Sequence, residues 1–185
     1  MNIWIDIDDL KTIPLIKALI NELQIRGHQI TLTAEDRKII RSEIQNYGLN
    51  AEFIGKTFSL FQEFSSSFRA ALLVNYINKK NIDIAFSLGA TPICHACSSL
   101  NLTIILLHSS SSEKFNKAYF ILYNIIFLLH ESVSTTYLIE KGYSTNNIMF
   151  FKNNLKKDAL SHNERTIIEI ATKLESACGT KDIKA

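Results

Sequence analysis

MNIWIDIDDLKTIPLIKALINELQIRGHQITLTA (Met1–Ala34) decides the fold. Asn2–Ile7 is apolar almost without a break until its acids arrive, as in a strand covered on both sheet faces. Downstream, Leu15, Ile16, Leu19, Ile20 and Leu23 recur at helical spacing. Gly27 stands where a left-handed helix cap belongs, and His28–Ala34 reads as a second strand. Strand, helix and strand in so short a stretch make one parallel crossover unit.

Outward from that unit the pattern repeats. Asp36 is expected to cap a helix through DRKIIRSEIQNYG, which stops at Gly48. AEFIG is a short third strand, KTFSLFQEFSSS a loop, and FRAALLVNYINKKN a helix. IDIAFSLG and TPICHACSSLN follow as strand and helix. LTIILL is a strand, HSSSSEK a loop and FNKAYFILYN a helix; then IIFLL is a strand, STTYLIEKG a helix and NNIMFF a last strand. Apolar strands alternating with helices through short connections predict an α/β, doubly wound parallel sheet of Rossmann-like type. This domain is expected over residues 1–160. A C-terminal helix over 161–178 follows, with Ile167, Ile168, Ile170, Ala171 and Leu174 on one side and Ser161 and Glu164 forming a capping box. It packs back on the domain in this reading, and residues 179–185 fray.

Bulk properties narrow the class. The 185 residues, 46% of them apolar, suffice for one ordinary core. Twenty basic residues nearly cancel eighteen acidic ones, so nucleic acid gets no electrostatic support. MNIWIDIDD lacks a basic n-region and a cleavage site, so no signal peptide is expected. The longest apolar stretch, Ala118–Leu129, is interrupted by Asn124 and falls short of the about 20 residues that span a bilayer. The three cysteines, Cys94, Cys97 and Cys178, are too few and too scattered for a disulfide framework. A cytoplasmic location is the expectation.

Candidate sites gather at strand ends. In WIDIDD, Asp6 and Asp8 project to one side of the strand and Ile5 and Ile7 to the other. Ligands of open α/β sheets bind at the carboxyl ends of strands, where Asp8 and Asp9 fall. A carboxylate there can act as general base on a sugar hydroxyl. For Asp9 a plain helix cap is the simpler reading. SLGATP gives a second candidate in Gly89, Ala90 and Thr91. Gly89 allows close backbone approach, and the N–H groups of the turn can hold a hydroxyl, phosphate or carboxylate, although any strand-to-helix turn needs the same residues. Thr91 is the expected N-cap and Pro92 suits the first helical turn. In HSSSSEK, His108 and Glu113 can serve as base and orienter, with Ser109 among four serines able to bind hydroxyls. A polar loop without chemistry is the simpler reading of those residues, and no G-x-S-x-G is present. CHAC lacks a second cysteine pair for zinc, so Cys94 and Cys97 read as small buried helix residues. His28 is expected to start its strand, and His130 and Glu131 end theirs. No metal is expected, and no G-x-G-x-x-G follows a strand, which weighs against a self-contained nicotinamide enzyme.

The motif order MNIWIDID, ELQIRGHQITLTAED, NYGL, FIGK, NIDIAFSLGATP and SLNLTIILL resembles domain-of-unknown-function family 354, predicted glycosyltransferases of GT-B fold similar to UDP-N-acetylglucosamine 2-epimerase. The resemblance extends weakly to NIMFFKNNLKKDAL. It implies that the chain corresponds to the N-terminal, acceptor-side domain of a GT-B fold, with Asp8 at the family's acid position. It also implies departures. Thr12 and Pro14 stand where the family has two histidines, KTFS replaces a Gly-rich turn, Leu88 replaces a histidine, and HSSSSEK replaces an acidic segment. A GT-B enzyme needs a second Rossmann-like domain for its nucleotide sugar, and this sequence ends where that domain is expected. Expected partners are therefore a sugar or glycolipid acceptor, and either a separate donor-binding domain or a second copy through an apolar face. The alternative expectation is a non-catalytic remnant or binding subunit.

Overall fold

The computed structural model describes residues 1–56, 62–89, 91–108, 124–152 and 164–179. Seven parallel strands form one sheet in the order β3-β2-β1-β4-β5-β6-β7. They are β1 (Asn2–Ile7), β2 (Gln29–Ala34), β3 (Glu52–Phe53), β4 (Ile84–Ser87), β5 (Ile104–His108), β6 (Ile125–His130) and β7 (Ile148–Phe151). The helices are α1 (Ile13–Ile25), α2 (Lys38–Asn46), α3 (Gln62–Ile77), α4 (Thr91–Leu100), α5 (Thr136–Glu140) and α6 (Glu164–Gly179).

Alternation along β1 sorts the two layers. Ile3, Ile5 and Ile7 join one core cluster with the buried faces of α1, α2 and α6. Trp4 joins the other, with Leu73 and Ile77 of α3 and Ile93, Cys94, Ala96 and Cys97 of α4. Each Ile or Leu buried this way contributes about 1.5–3 kcal/mol. On α1 the expected positions Leu15, Ile16, Leu19, Ile20 and Leu23 are all buried, joined by Ile13. The helix closes through Gly27, whose N–H donates to Gln24 O at 2.9 Å while His28 N–H donates to Leu23 O at 3.0 Å.

Several boundaries differ from the sequence reading. Asp36 caps nothing: α2 starts at Lys38, Arg37 holds the cap position, and the Asp36 carboxylate pairs with Arg41 at 2.8 Å. α3 starts at Gln62, so the serines of QEFSSS are helical instead of looped; the apolar anchors Leu73 and Ile77 outweigh their weak propensity. Thr91 is the first helical residue of α4, not the residue before it. β2 begins at Gln29, leaving His28 in the turn. On α6, Ile167, Ile170, Ala171 and Leu174 are buried, but Ile168 faces solvent. Ser161 lies outside the described residues.

α6 packs against α1. Arg26, at the end of α1, donates to Glu22 at 2.8 Å and to Glu175 of α6 at 2.7 Å. His28 Nε2 lies 2.9 Å from the other Glu175 oxygen. These contacts add a polar clasp to the apolar seam between the two helices.

Candidate functional site

The strand order reverses between β1 and β4, which makes that gap the topological switch point. Ile5 lies level with Phe86, Ser87 with Leu106, and His108 with Leu129. The carboxyl ends of β1, β4 and β5 therefore share one rim, carrying Asp8 and Asp9, then Leu88 and Gly89, then His108. At the β4 corner the Gly89 N–H donates to Ser87 Oγ at 3.1 Å. Gly89 adopts φ +111°, a conformation that a residue with a side chain enters only under strain.

The two outer acids of WIDIDD separate cleanly. Asp9 is exposed, and its carboxylate accepts from Lys11 N–H at 3.1 Å, capping a short 3-10 turn over Leu10–Thr12. Thr12 Oγ1 donates to the Asp9 carbonyl at 2.7 Å. Asp8 is half-buried, and among the described residues its carboxylate makes neither a hydrogen bond nor an ion pair. Only its carbonyl oxygen is engaged, accepting from Arg37 Nη2. Burial pushes the Asp8 carboxyl up to about 6, Asp6 pushes further, and Arg69 pulls against both. A solvent-reachable carboxyl that changes charge near neutrality is the usual equipment of a general base.

Beneath Asp8 sits a buried polar chain that the sequence reading missed. Arg69 of α3 forks onto Asp6, with Nη1 to Oδ2 at 2.8 Å and Nη2 to Oδ1 at 2.7 Å, and both side chains are 0% exposed. Arg69 Nε donates to Ile54 O at 2.9 Å. Thr33 Oγ1 donates to Asp6 Oδ1 at 2.6 Å and receives the Trp4 indole N–H at 2.9 Å. Burial opposes the Arg69 charge, but the Asp6 carboxylate more than restores it and holds the guanidinium protonated. Gly55 lets the arginine stem pass: a Cβ built there would meet Arg69 Cγ at 3.0 Å, and its φ is +66°. Glu35, just past β2, is buried as well and pairs with Arg37 Nε at 2.7 Å. The available signal was one arginine inside the apolar run FRAALL, where a charge is kept only when paired.

The remaining candidates divide. Ala90, Ser109 and Glu113 lie outside the described residues. His108 is buried at the end of β5, two strands from β1 and so roughly 10 Å away along the rim. It shares the rim with Asp8 without forming a dyad. His130 is tied to Ser132 at 2.7 Å and to Lys152 O at 3.2 Å, closing its strand. Cys94 and Cys97 are buried in α4, and burial pushes the Cys94 thiol up to about 12. Among the described residues no cluster of His, Cys, Asp and Glu is arranged to hold a metal ion, and no helix is long and apolar enough to cross a membrane.

Solved structures carry the same architecture. The fold is that of a GT-B glycosyltransferase domain. The MnaA–UDP co-structure from S. aureus matches with a TM-score of 0.65 at 12% identity, over 80% of this chain and 44% of that one. A glycosyltransferase from Rickettsia africae ESF-5 matches at 0.59 and 15% identity, over 100% of this chain and 50% of that one. MurG from Acinetobacter baumannii matches at 0.56 and 12% identity, over 70% and 41%. This chain thus spans half or less of each structure. At such identities the likeness is one of fold. No family model matches the chain, and no curated protein does.

Proposed function

We propose that this chain is the acceptor-side domain of a GT-B glycosyltransferase-like enzyme, of the kind that family 354 resembles. One observation carries the reading: the Asp8 carboxylate stands on the rim at the switch point with no hydrogen bond or ion pair among the described residues, where burial pushes it up to about 6. In this reading Asp8 takes the proton from an acceptor hydroxyl as that oxygen attacks the anomeric carbon of a nucleotide sugar. The bond from the anomeric carbon to the diphosphate oxygen breaks and the nucleoside diphosphate leaves, held by a second Rossmann-like domain that makes the donor contacts whether it belongs to this polypeptide or another. Gly89, Thr91 and His108 line the acceptor cleft in this reading, and Asp9 stays with its cap.

A second reading, a binding subunit without catalysis, draws on Thr12 and Pro14 standing where the resemblance calls for histidines. Two titrations of the chain separate the possibilities. Amino sugars and their oligosaccharides, followed by chemical-shift changes, should perturb residues around Asp8, Gly89 and His108. UDP and UDP-sugars, followed by calorimetry, should give no saturable heat. Tight donor binding without acceptor binding overturns the acceptor-side assignment. Activity with an added donor-binding domain, lost in Asp8→Asn, decides for the enzyme; acceptor binding with no turnover decides for the binding subunit.

A further inference from the structure

Two carboxylates, Asp6 of β1 and Asp8 just past its end, feel the charge of one buried cation on α3. A carboxylate paired bidentately with arginine is held in its charged, proton-poor form and makes a weak base. Among the described residues the Arg69 hydrogen bonds all go elsewhere: each Nη donates to Asp6 and Nε donates to Ile54 O, so its charge reaches Asp8 only through space. Thr33 completes the Asp6 coordination, and the stem of Arg69 is fixed against Gly55. Arg37, the second cation nearby, is likewise committed to the Glu35 carboxylate and the Asp8 carbonyl.

We propose that Asp6 is a positioning residue that captures Arg69 and so keeps it out of an ion pair with the Asp8 carboxylate at the rim. This rests on the acceptor-side reading for its purpose, but the capture itself is a property of this chain alone. An ion pair buried this deeply contributes little to net stability compared with apolar residues of the same volume. Capture supplies a reason for its presence. The charged and titratable groups bearing on Asp8 are Asp6 of β1, Asp9 of the 3-10 turn, Glu35 and Arg37 after β2, Arg69 of α3 and Cys94 of α4.

The test follows the Asp8 carboxyl carbon by NMR across a pH titration, with no ligand or second domain needed. Asp6→Asn releases the Arg69 charge toward Asp8, and the proton affinity of Asp8 should fall by about tenfold or more. The double variant Asp6→Asn with Arg69→Met should return it to within about threefold of the starting value, since both charges are then gone. Its neutral side chains of similar size also make it the fold-competent reference. Arg69→Gln reads the same coupling with the opposite sign, by raising the proton affinity of Asp8, and serves if Asp6→Asn does not fold. Charges acting independently would let removal of Arg69 shift the Asp8 midpoint equally with and without Asp6→Asn, whereas capture makes that shift larger once Asp6 is neutral. An unmoved midpoint in Asp6→Asn or Arg69→Gln, or a double variant that stays shifted, overturns the proposal. Failure of the sugar titrations with a shifted Asp8 midpoint would instead reject the acceptor-side reading and leave the capture standing.

Discussion

Asp8 holds a carboxylate where folding works against its charge, and that has a measurable sign. Its folded-state pKa of about 6 exceeds the roughly 3.9 of an unfolded aspartate, so the native state binds the proton more tightly. The stabilisation this gives is complete below about pH 4 and is lost as pH rises through about 6. Asp8→Asn is therefore expected to stabilise the protein by about 1–3 kcal/mol at pH 8, with the gain vanishing toward pH 4, as read by urea melts. Gly55→Ala acts in the other direction. Its positive φ and the Arg69 stem together should cost about 1–3 kcal/mol in the same assay. These residues also mark the limit of legibility. The sequence placed Asp8 at a strand end and Asp9 at a cap through local rules alone. Arg69 and Asp6 are 63 positions apart, and no local rule joins them.

At the scale of elements, the clasp between α1 and α6 is electrostatic as well as apolar. Hydrogen bonding from His28, reinforced by Arg26, holds the Glu175 carboxyl below the usual range. That contribution is present above the unfolded pKa of glutamate and is lost as pH falls through the depressed folded value. Glu175→Gln, which keeps the shape and removes the charge, should cost about 0.5–1.5 kcal/mol at pH 7. It should also speed amide exchange in α6 more than in β1. The elements themselves were readable because hydrophobic period and glycine stops agree, as they do over α1 and Gly27. The starts of α2 and α3 were misread where capping chemistry and core contact disagree. Asp36 has the right side chain for a cap but sits one residue too early, and the Ser65–Ser67 stretch is drawn into α3 by anchors two turns away.

Across the whole molecule, one sheet with both faces covered is expected to make β1, β4 and α1 unfold together. Leu174→Ala, at the buried centre of the α6 seam, should cost about 2–5 kcal/mol. The urea slope should stay unchanged if α6 unfolds with the sheet. The doubly wound parallel class was legible from alternation alone, whereas the strand order became visible only in the structure. The chemistry was not, since it depends on which side chains the switch point brings together. Trp4 has a further use. It is the one tryptophan of the chain, buried on the central strand, with its indole N–H bonded through Thr33 to Asp6. Its fluorescence is expected to report the global unfolding transition and, through the Asp6 end of that chain, the charge on Asp8. Emission should step with a midpoint near pH 6, and Asp8→Asn should flatten that step.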